Sequence, residues 1–112
     1  CGGIAVPINN SVMQIELIKE MNLGCVIVSN CSLGTINHTL LTVEYIKSYN
    51  IEIKGIIFNN YSGNIIEDDN IDFITKKTCL PVVALFNKMI LNESESTNII
   101  NLKKLFEKNF LF

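Results

Sequence analysis

Residues 33–42 read LGTINHTLLT, and this stretch decides the fold because it marks the passage from a strand to a helix. The apolar run Val26-Ile27-Val28 precedes it and has the composition of a buried strand. Gly34 permits a sharp turn, and Thr35 or Asn37 can cap the first N–H groups of the helix. Uncapped N–H groups and the helix dipole favour an anion at that point. The stretch therefore predicts a strand, an anion-binding turn and a helix, in that order.

The composition is that of a folded domain. The chain has 112 residues, of which 48% are hydrophobic and 18% charged, so it suits one domain or one half of a larger domain. Its nine basic residues are scattered and the net charge is −2, which gives a nucleic-acid partner no support. Polar residues interrupt every apolar run, so no membrane association is expected.

The start of the chain and its cysteines bear on processing and location. The chain begins with Cys1-Gly2-Gly3 rather than Met and lacks a secretory signal, so we expect a truncated chain. The four cysteines form no CxxC pair and have no histidine at ligand spacing, which argues against zinc or a redox pair. Cys25 and Cys79 border apolar runs and are expected to be buried. Reduced thiols and a cytoplasmic location follow as expectations.

Short apolar runs alternate with longer segments of helical period, which is the pattern of a parallel sheet with crossover helices. The expected strands are residues 4–8, 25–29, 53–58 and 81–86. The expected helices are residues 12–21, 35–48, 66–77 and 99–109, with a polar loop at 92–98. The resulting order is βαβαβαβα, so the sequence predicts an α/β protein.

The carboxyl ends of parallel strands are where such sheets bind ligands. This rule selects the turn after Val28, the pair Asn59-Asn60, the segment after Phe86, and the segment that includes Cys1-Gly2-Gly3. The sequence contains no GxxxxGK[ST] phosphate-binding loop. The acidic residues at 67–69 and 72 open a predicted helix, where we expect them to offset the helix dipole on a solvated face rather than bind a metal.

Four segments together resemble the C-terminal half of the dethiobiotin synthetase family. Residues 1–8 are similar to the end of the family's E-G-A-G-G-x-x-V-P-[IL] segment, and residues 25–28 to the strand that follows it. Residues 33–42 resemble the family's LGTINHTLLT string, and residues 55–59 resemble its G-x-[IV]-x-N strand. The likeness covers nearly the whole chain and is most specific in residues 33–42.

The resemblance implies a homodimeric P-loop enzyme of the MinD-like branch, with a parallel sheet and helices on both faces. Residues 1–112 would form the C-terminal half of one P-loop NTPase-like domain. Enzymes of the family are cyclo-ligases of biotin biosynthesis, which close the ureido ring of dethiobiotin from 7,8-diaminononanoate, carbon dioxide and ATP. Mg²⁺ would bridge the phosphates and offset developing charge.

The resemblance also implies two sets of binding residues. The substrate carboxylate would be received on backbone N–H groups, across the dimer interface, by Leu33, Gly34, Thr35, Ile36 and Asn37. The nucleotide would be bound by Cys1, Gly2, Asn59, Asn60, Asn87, Lys88 and Met89. Within that second set, Asn59 and Asn60 would face the adenine edge.

The family's residues for ATP and Mg²⁺ chemistry would precede Cys1. No catalytic or metal-binding residue is therefore assigned to this chain, which we expect to be inactive alone. The last strand departs from the family, since Ala84-Leu85-Phe86-Asn87 stands where G-x-[IL]-P is usual. That departure affects the assignment of residues 87–89.

Two alternatives stay open. One is a MinD-like or cobyrinate amidase-like P-loop ATPase, which would carry a different substrate loop; the string at 33–42 speaks against it. The other is a non-catalytic α/β module kept for dimerisation. An upstream in-frame segment encoding GTxTxxGKT would favour the enzyme over this module.

Overall fold

The computed structural model describes residues 2–88, which form a three-stranded parallel sheet and three helices. The elements in chain order are α1 (Gln14–Glu20), β1 (Cys25–Asn30), α2 (Thr35–Ser48), β2 (Ile53–Tyr61), α3 (Ile65–Thr78) and β3 (Val82–Asn87). The strand order is β1-β2-β3. The predicted α/β class is confirmed, and the helix predicted at 35–48 agrees with α2 at both ends.

One face of the sheet carries the core. Ile27 of β1 lies beside Ile56 of β2, and both are buried, as is Phe58 further along β2. Because side chains alternate across a strand, these three point to the same face. The helices complete this buried cluster with Ile15, Val43, Ile46 and Ile74. The apolar residues that recur along the predicted strands and helices thus form a single contiguous buried cluster.

The two connecting helices pack side by side. Helix α2 joins β1 to β2, helix α3 joins β2 to β3, and the two helices contact each other.

On the opposite face of the sheet, Val26 and Val28 of β1 are 42% and 66% exposed, and no described helix covers them. In residues 2–88, β1 therefore has one apolar face exposed to solvent.

The first predicted strand is wrong. Residues 4–8 form no strand and instead make an isolated antiparallel bridge at Pro7. The physical reason is a turn at Asn9, whose side-chain oxygen accepts hydrogen bonds from two backbone N–H groups, the nearer at 2.8 Å. The segment folds back on itself, and the Ile8 N–H donates to the Val12 carbonyl at 2.8 Å rather than to a neighbouring strand.

Other expectations change at the ends of elements. β2 continues beyond residue 58 to Tyr61, past Asn60, whose backbone is left-handed with φ 61°. Cys79, the C-cap residue of α3, is exposed rather than buried, and Cys25 is only partly buried. The loop predicted at 92–98 and the helix predicted at 99–109 lie outside the described residues. Within residues 2–88, no helix has the length and apolar character needed to cross a membrane.

Candidate functional site

The carboxyl ends of the three strands meet along one edge of the sheet. Asn30, the last residue of β1, lies beside Asn59 of β2, and Tyr61 of β2 lies beside Asn87 of β3. Polar residues thus line the edge at which parallel α/β sheets bind ligands. One cavity opens between β1 and α2, and another opens between the ends of β2 and β3.

The turn that follows β1 is fixed by two amide side chains. The Asn30 side-chain oxygen accepts hydrogen bonds from the N–H groups of Cys31 (2.7 Å) and Ser32 (3.2 Å), which is an Asx-turn pattern. Asn70 of α3 donates from Nδ2 to the Cys31 carbonyl at 2.9 Å. These bonds fix the turn between β1 and α2 relative to the sheet and to α3.

Helix α2 begins without a side-chain cap. Gly34 occupies the N-cap position in the left-handed region, with φ 92°, where a residue without Cβ is favoured. The Thr35 N–H donates to the Ser32 carbonyl at 3.1 Å, and the His38 N–H donates to the Gly34 carbonyl at 3.1 Å. The N–H groups of Ile36 and Asn37 lie between these two and have no carbonyl partner within the helix. They are donors for an anion at the positive end of the helix dipole.

The caps predicted from the sequence are wrong. Thr35 is 5% exposed and donates its hydroxyl to the Asn30 carbonyl, while the Asn37 side chain makes no capping bond. The Thr35 hydroxyl lies 3.4 Å from that of Thr39, which in turn lies 2.8 Å from the Ser29 hydroxyl of β1. Ser29, Thr35 and Thr39 form a buried hydroxyl cluster that joins the start of α2 to the end of β1.

The sequence patterns did not predict the cluster of Ser29, Thr35 and Thr39. Ile36 and Leu40, the apolar residues in the first turns of α2, are half-buried. Thr35 and Thr39 are buried instead. Two threonines four residues apart lie on one face of a helix, and that spacing was the available signal.

The residues predicted to bind the substrate carboxylate, 33–37, come together at this helix start. Leu33 is 96% exposed, while Ile36 packs against the core cluster. The His38 ring lies close to the turn, because a Cβ placed on Gly34 would be 3.8 Å from His38 Cδ2. Backbone conformation rather than lack of space is therefore what favours glycine at position 34.

A cavity of about 610 Å³ extends along β1 from Cys25 to Asn30, with Ile18 of α1 also in its lining, and reaches this helix start. Its polar lining includes Asn30, Ser32, His38 and Thr42, and β1 supplies apolar lining at Val28. A few polar groups on an apolar wall, in a volume of this size, are typical of small-molecule sites.

A second cavity, of about 540 Å³, lies at the ends of β2 and β3 and is lined by Tyr61, Ser62, Gly63, Asn87 and Lys88. The Lys88 N–H donates to the Tyr61 carbonyl at 2.8 Å, which keeps the two strand ends together. The structure thus brings two of the predicted nucleotide residues, Asn87 and Lys88, to one cavity.

The remaining predicted nucleotide residues have different positions. Asn59 and Asn60 are exposed on β2 just before this cavity. Gly2 lines a separate cavity with Leu41 and Tyr45. Cys1 and Met89 lie outside the described residues.

Glu67 holds the loop that borders the second cavity. Its carboxylate accepts hydrogen bonds from the Ser62 N–H (2.7 Å), the Ser62 hydroxyl (3.0 Å) and the Gly63 N–H (3.2 Å). The bond from the Ser62 N–H is the main cause that lowers the pKa of Glu67, against the opposing effect of burial. Glu67 is 6% exposed, so its expected place on a solvated face is wrong. Its neighbours Asp68 and Asp69 are exposed as expected.

The carboxylate of Asp68 holds the side chain of Tyr61. Its hydroxyl donates to Asp68 Oδ1 at 2.6 Å, and this bond is the first cause that raises the pKa of Tyr61. No site prediction from the sequence includes Tyr61. Tyr61 follows the left-handed residue Asn60 and lines the second cavity.

Buried Cys31 is not an activated nucleophile. Burial raises the pKa of its thiol to about 11, and the Glu67 carboxylate contributes in the same direction. A thiol with such a pKa stays protonated near neutral pH, whereas the thiolate is the reactive form. Across residues 2–88, no group of three or more His, Cys, Asp or Glu side chains is placed to hold a metal ion.

A parallel sheet with connecting helices, and with cavities that reach the carboxyl ends of its strands, defines an open-sheet α/β protein, a class that binds ligands at that edge. The chain belongs to the AAA domain family, whose model matches residues 1–96. This match agrees with the fold and extends over each described element.

Curated relatives share one name, ATP-dependent dethiobiotin synthetase BioD. The protein of Caldicellulosiruptor saccharolyticus is 49% identical over 88 residues, which is 75% of this chain and 36% of the relative. That of Clostridium kluyveri is 46% identical over 99 residues, with 84% and 41% covered. That of Clostridium acetobutylicum is 41% identical over 106 residues, with 91% and 43% covered. The predicted resemblance to dethiobiotin synthetase is confirmed, and the chain spans less than half the length of these relatives.

Proposed function

We propose that the protein is an ATP-dependent dethiobiotin synthetase and that this chain supplies the carboxylate-binding and base-binding parts of its site. In this reaction one amine of 7,8-diaminononanoate takes up carbon dioxide as a carbamate. The carbamate accepts the γ-phosphoryl group of ATP, and the second amine then displaces phosphate as the ureido ring closes. The family and the relatives' shared name support the assignment.

The observation that carries the proposal is the uncapped start of α2. The N–H groups of Ile36 and Asn37 are left for an anion, and no acidic residue occupies the first turn of the helix. A monocarboxylate such as diaminononanoate matches that site in charge and in hydrogen bonding. Residues 33–37 would fix the carboxylate end of the substrate, and the adjoining cavity would take its aliphatic chain.

For the nucleotide, we propose that Asn59 recognises the adenine edge, with Asn60, Asn87 and Lys88 nearby. A side-chain amide offers both a donor and an acceptor, which adenine can pair with. Asn59→Ala should therefore reduce the preference for ATP over GTP and CTP, measured as the ratio of kcat/KM values. Asn22→Ala, an exposed asparagine before β1, is the control. An unchanged preference in Asn59→Ala would remove the base-reading role.

We further propose a homodimer in which the carboxylate site serves the partner subunit. Leu33, Ile65 and Ile66 surround a shallow groove beside this site, and they are 96%, 76% and 62% exposed. Exposed apolar residues grouped in this way are typical of protein interfaces. A symmetric dimer would bury the group and enclose the substrate carboxylate.

The ATP and Mg²⁺ chemistry needs residues beyond those described. No metal-ligand group occurs in residues 2–88, so we assign these residues binding and orientation and no step through Mg²⁺. We place the protein in the cytoplasm, which fits the free thiols of Cys25, Cys31 and Cys79.

The test is dethiobiotin formation by the whole gene product. The protein is incubated with 7,8-diaminononanoate, bicarbonate, ATP and Mg²⁺, and dethiobiotin is measured by mass spectrometry with each component omitted in turn. We expect product only in the complete mixture, with phosphate released in equal amount. ATP hydrolysis without dethiobiotin would instead indicate another P-loop ATPase, and an absence of ATP binding would indicate a non-catalytic module.

A further inference from the structure

The second cavity has an aromatic residue in its lining that is not among the predicted site residues. Among its five lining residues, the aromatic side chain is Tyr61, at the end of β2. Tyr61 is half-buried and packs on one side against the core cluster. Its hydroxyl is held by Asp68 at 2.6 Å, and its carbonyl is held by the Lys88 N–H at 2.8 Å. Both the ring and the backbone of this residue are therefore fixed before any ligand arrives.

The loop beside Tyr61 is closed to anions. The N–H groups of Ser62 and Gly63, which could otherwise cradle a phosphate, both donate to the Glu67 carboxylate. A phosphate placed there would meet occupied donors and a buried negative charge. The loop backbone therefore offers no donors to a phosphate, and the remaining lining of Tyr61, Asn87 and Lys88 suits a group with a flat apolar face and a polar edge. A purine base has this chemistry, since its face can lie on an aromatic ring and its edge can bond to an amide such as that of Asn87.

We propose that Tyr61 is a specificity-determining residue of the nucleotide site, whose ring supports the face of the adenine. This inference rests on the proposed function, because it takes ATP to be a substrate. It adds an aromatic contact to a site so far described by amides. It also separates the base, held at the ends of β2 and β3, from the carboxylate at the start of α2.

The experiment compares Tyr61→Ala, Tyr61→Leu and Tyr61→Phe in the whole gene product, with dethiobiotin formation and calorimetric ATP titration as readouts. Tyr49→Ala is the matched control, because Tyr49 is also half-buried against the core but lies at the C-terminus of α2, away from this cavity. A base gains affinity by stacking on an aromatic ring, and an aliphatic side chain does not replace that contact. Tyr61→Ala and Tyr61→Leu should therefore raise KM and Kd for ATP by about tenfold and reduce discrimination against CTP.

Tyr61→Phe keeps the ring and loses the bond to Asp68, so it should retain most of the ATP affinity. KM for diaminononanoate should not change in any of the variants. If Tyr61→Ala fails to fold by circular dichroism, Tyr61→Leu decides the matter, since it retains apolar volume without a flat face. ATP affinity in the folded Ala or Leu variant equal to that of Tyr49→Ala overturns the role of Tyr61. Failure of the wild-type protein to bind ATP or form dethiobiotin would instead overturn the proposed function.

Discussion

At the scale of single residues, the loop beside the second cavity depends on one buried carboxylate. The charged carboxylate of Glu67 accepts hydrogen bonds from the N–H groups of Ser62 and Gly63 and from the Ser62 hydroxyl. Its pKa is lowered in the folded protein. The resulting stabilisation is present above the ordinary glutamate pKa of about 4.3 and is lost as pH falls through the lower folded value.

Glu67→Gln should accordingly destabilise the protein near neutral pH, because a neutral amide turns an NH₂ group toward the same donors. The difference in unfolding free energy from wild type should shrink as pH falls from about 7 to about 3.5. Urea unfolding followed by circular dichroism measures it. Glu44→Gln is the control, since Glu44 is exposed and pairs with Lys47 at 3.5 Å. A difference that is independent of pH would contradict this account of Glu67.

At the scale of elements, the carboxylate site depends on how α2 is joined to β1. The hydroxyl cluster makes this junction, with Ser29 on the strand and Thr39 on the helix 2.8 Å apart. Both side chains are nearly inaccessible to water. A buried hydroxyl left without its partner costs about 1–3 kcal/mol, whereas removal of both partners costs less.

Thr39→Val should therefore lower the unfolding free energy by about 1–3 kcal/mol, and Ser29→Ala combined with Thr39→Val should lower it by less than the sum of the two single changes. Thr42→Val on the same helix is the control, because its hydroxyl bonds locally to the His38 carbonyl at 2.7 Å. Chemical denaturation of the wild type, the two single variants and the double variant gives the coupling energy. Strictly additive effects would show that the junction does not depend on this bond.

The same elements show what the sequence could predict. The bounds of α2 follow from local signals, namely a glycine turn before the helix and apolar spacing along it. Residues 4–8 were assigned wrongly because an apolar run does not reveal whether a neighbouring strand exists to pair with it. The hydroxyl cluster and the burial of Glu67 depend on tertiary contacts, which periodicity does not report. The positions of Asn59, Asn87 and Lys88 at one edge were predictable, since they follow from the parallel sheet alone.

At the scale of the whole molecule, the proposed dimer should depend on the exposed group of Leu33, Ile65 and Ile66. Full burial of a leucine side chain contributes about 1.5–3 kcal/mol. Leu33→Glu should therefore weaken dimerisation by about tenfold or more, which light scattering over a range of protein concentrations measures. Leu23→Glu is the control, because Leu23 is 59% exposed before β1, at the opposite end of that strand. Equal molecular masses for the two variants at every concentration would argue against this dimer surface.

The central claim is that the start of α2 binds the substrate carboxylate, and a comparison of Gly34→Asp with Gly34→Asn tests it most directly. The two side chains have nearly the same shape and similar tolerance of a left-handed backbone, so charge is the main difference between them. The measurement is KM for 7,8-diaminononanoate and for ATP in both variants of the whole gene product. A carboxylate at position 34 should compete for the N–H groups of Ile36 and Asn37 and raise KM for diaminononanoate about tenfold above that of the Asn variant, with KM for ATP the same in both. Equal KM values for diaminononanoate in the two variants would contradict the claim.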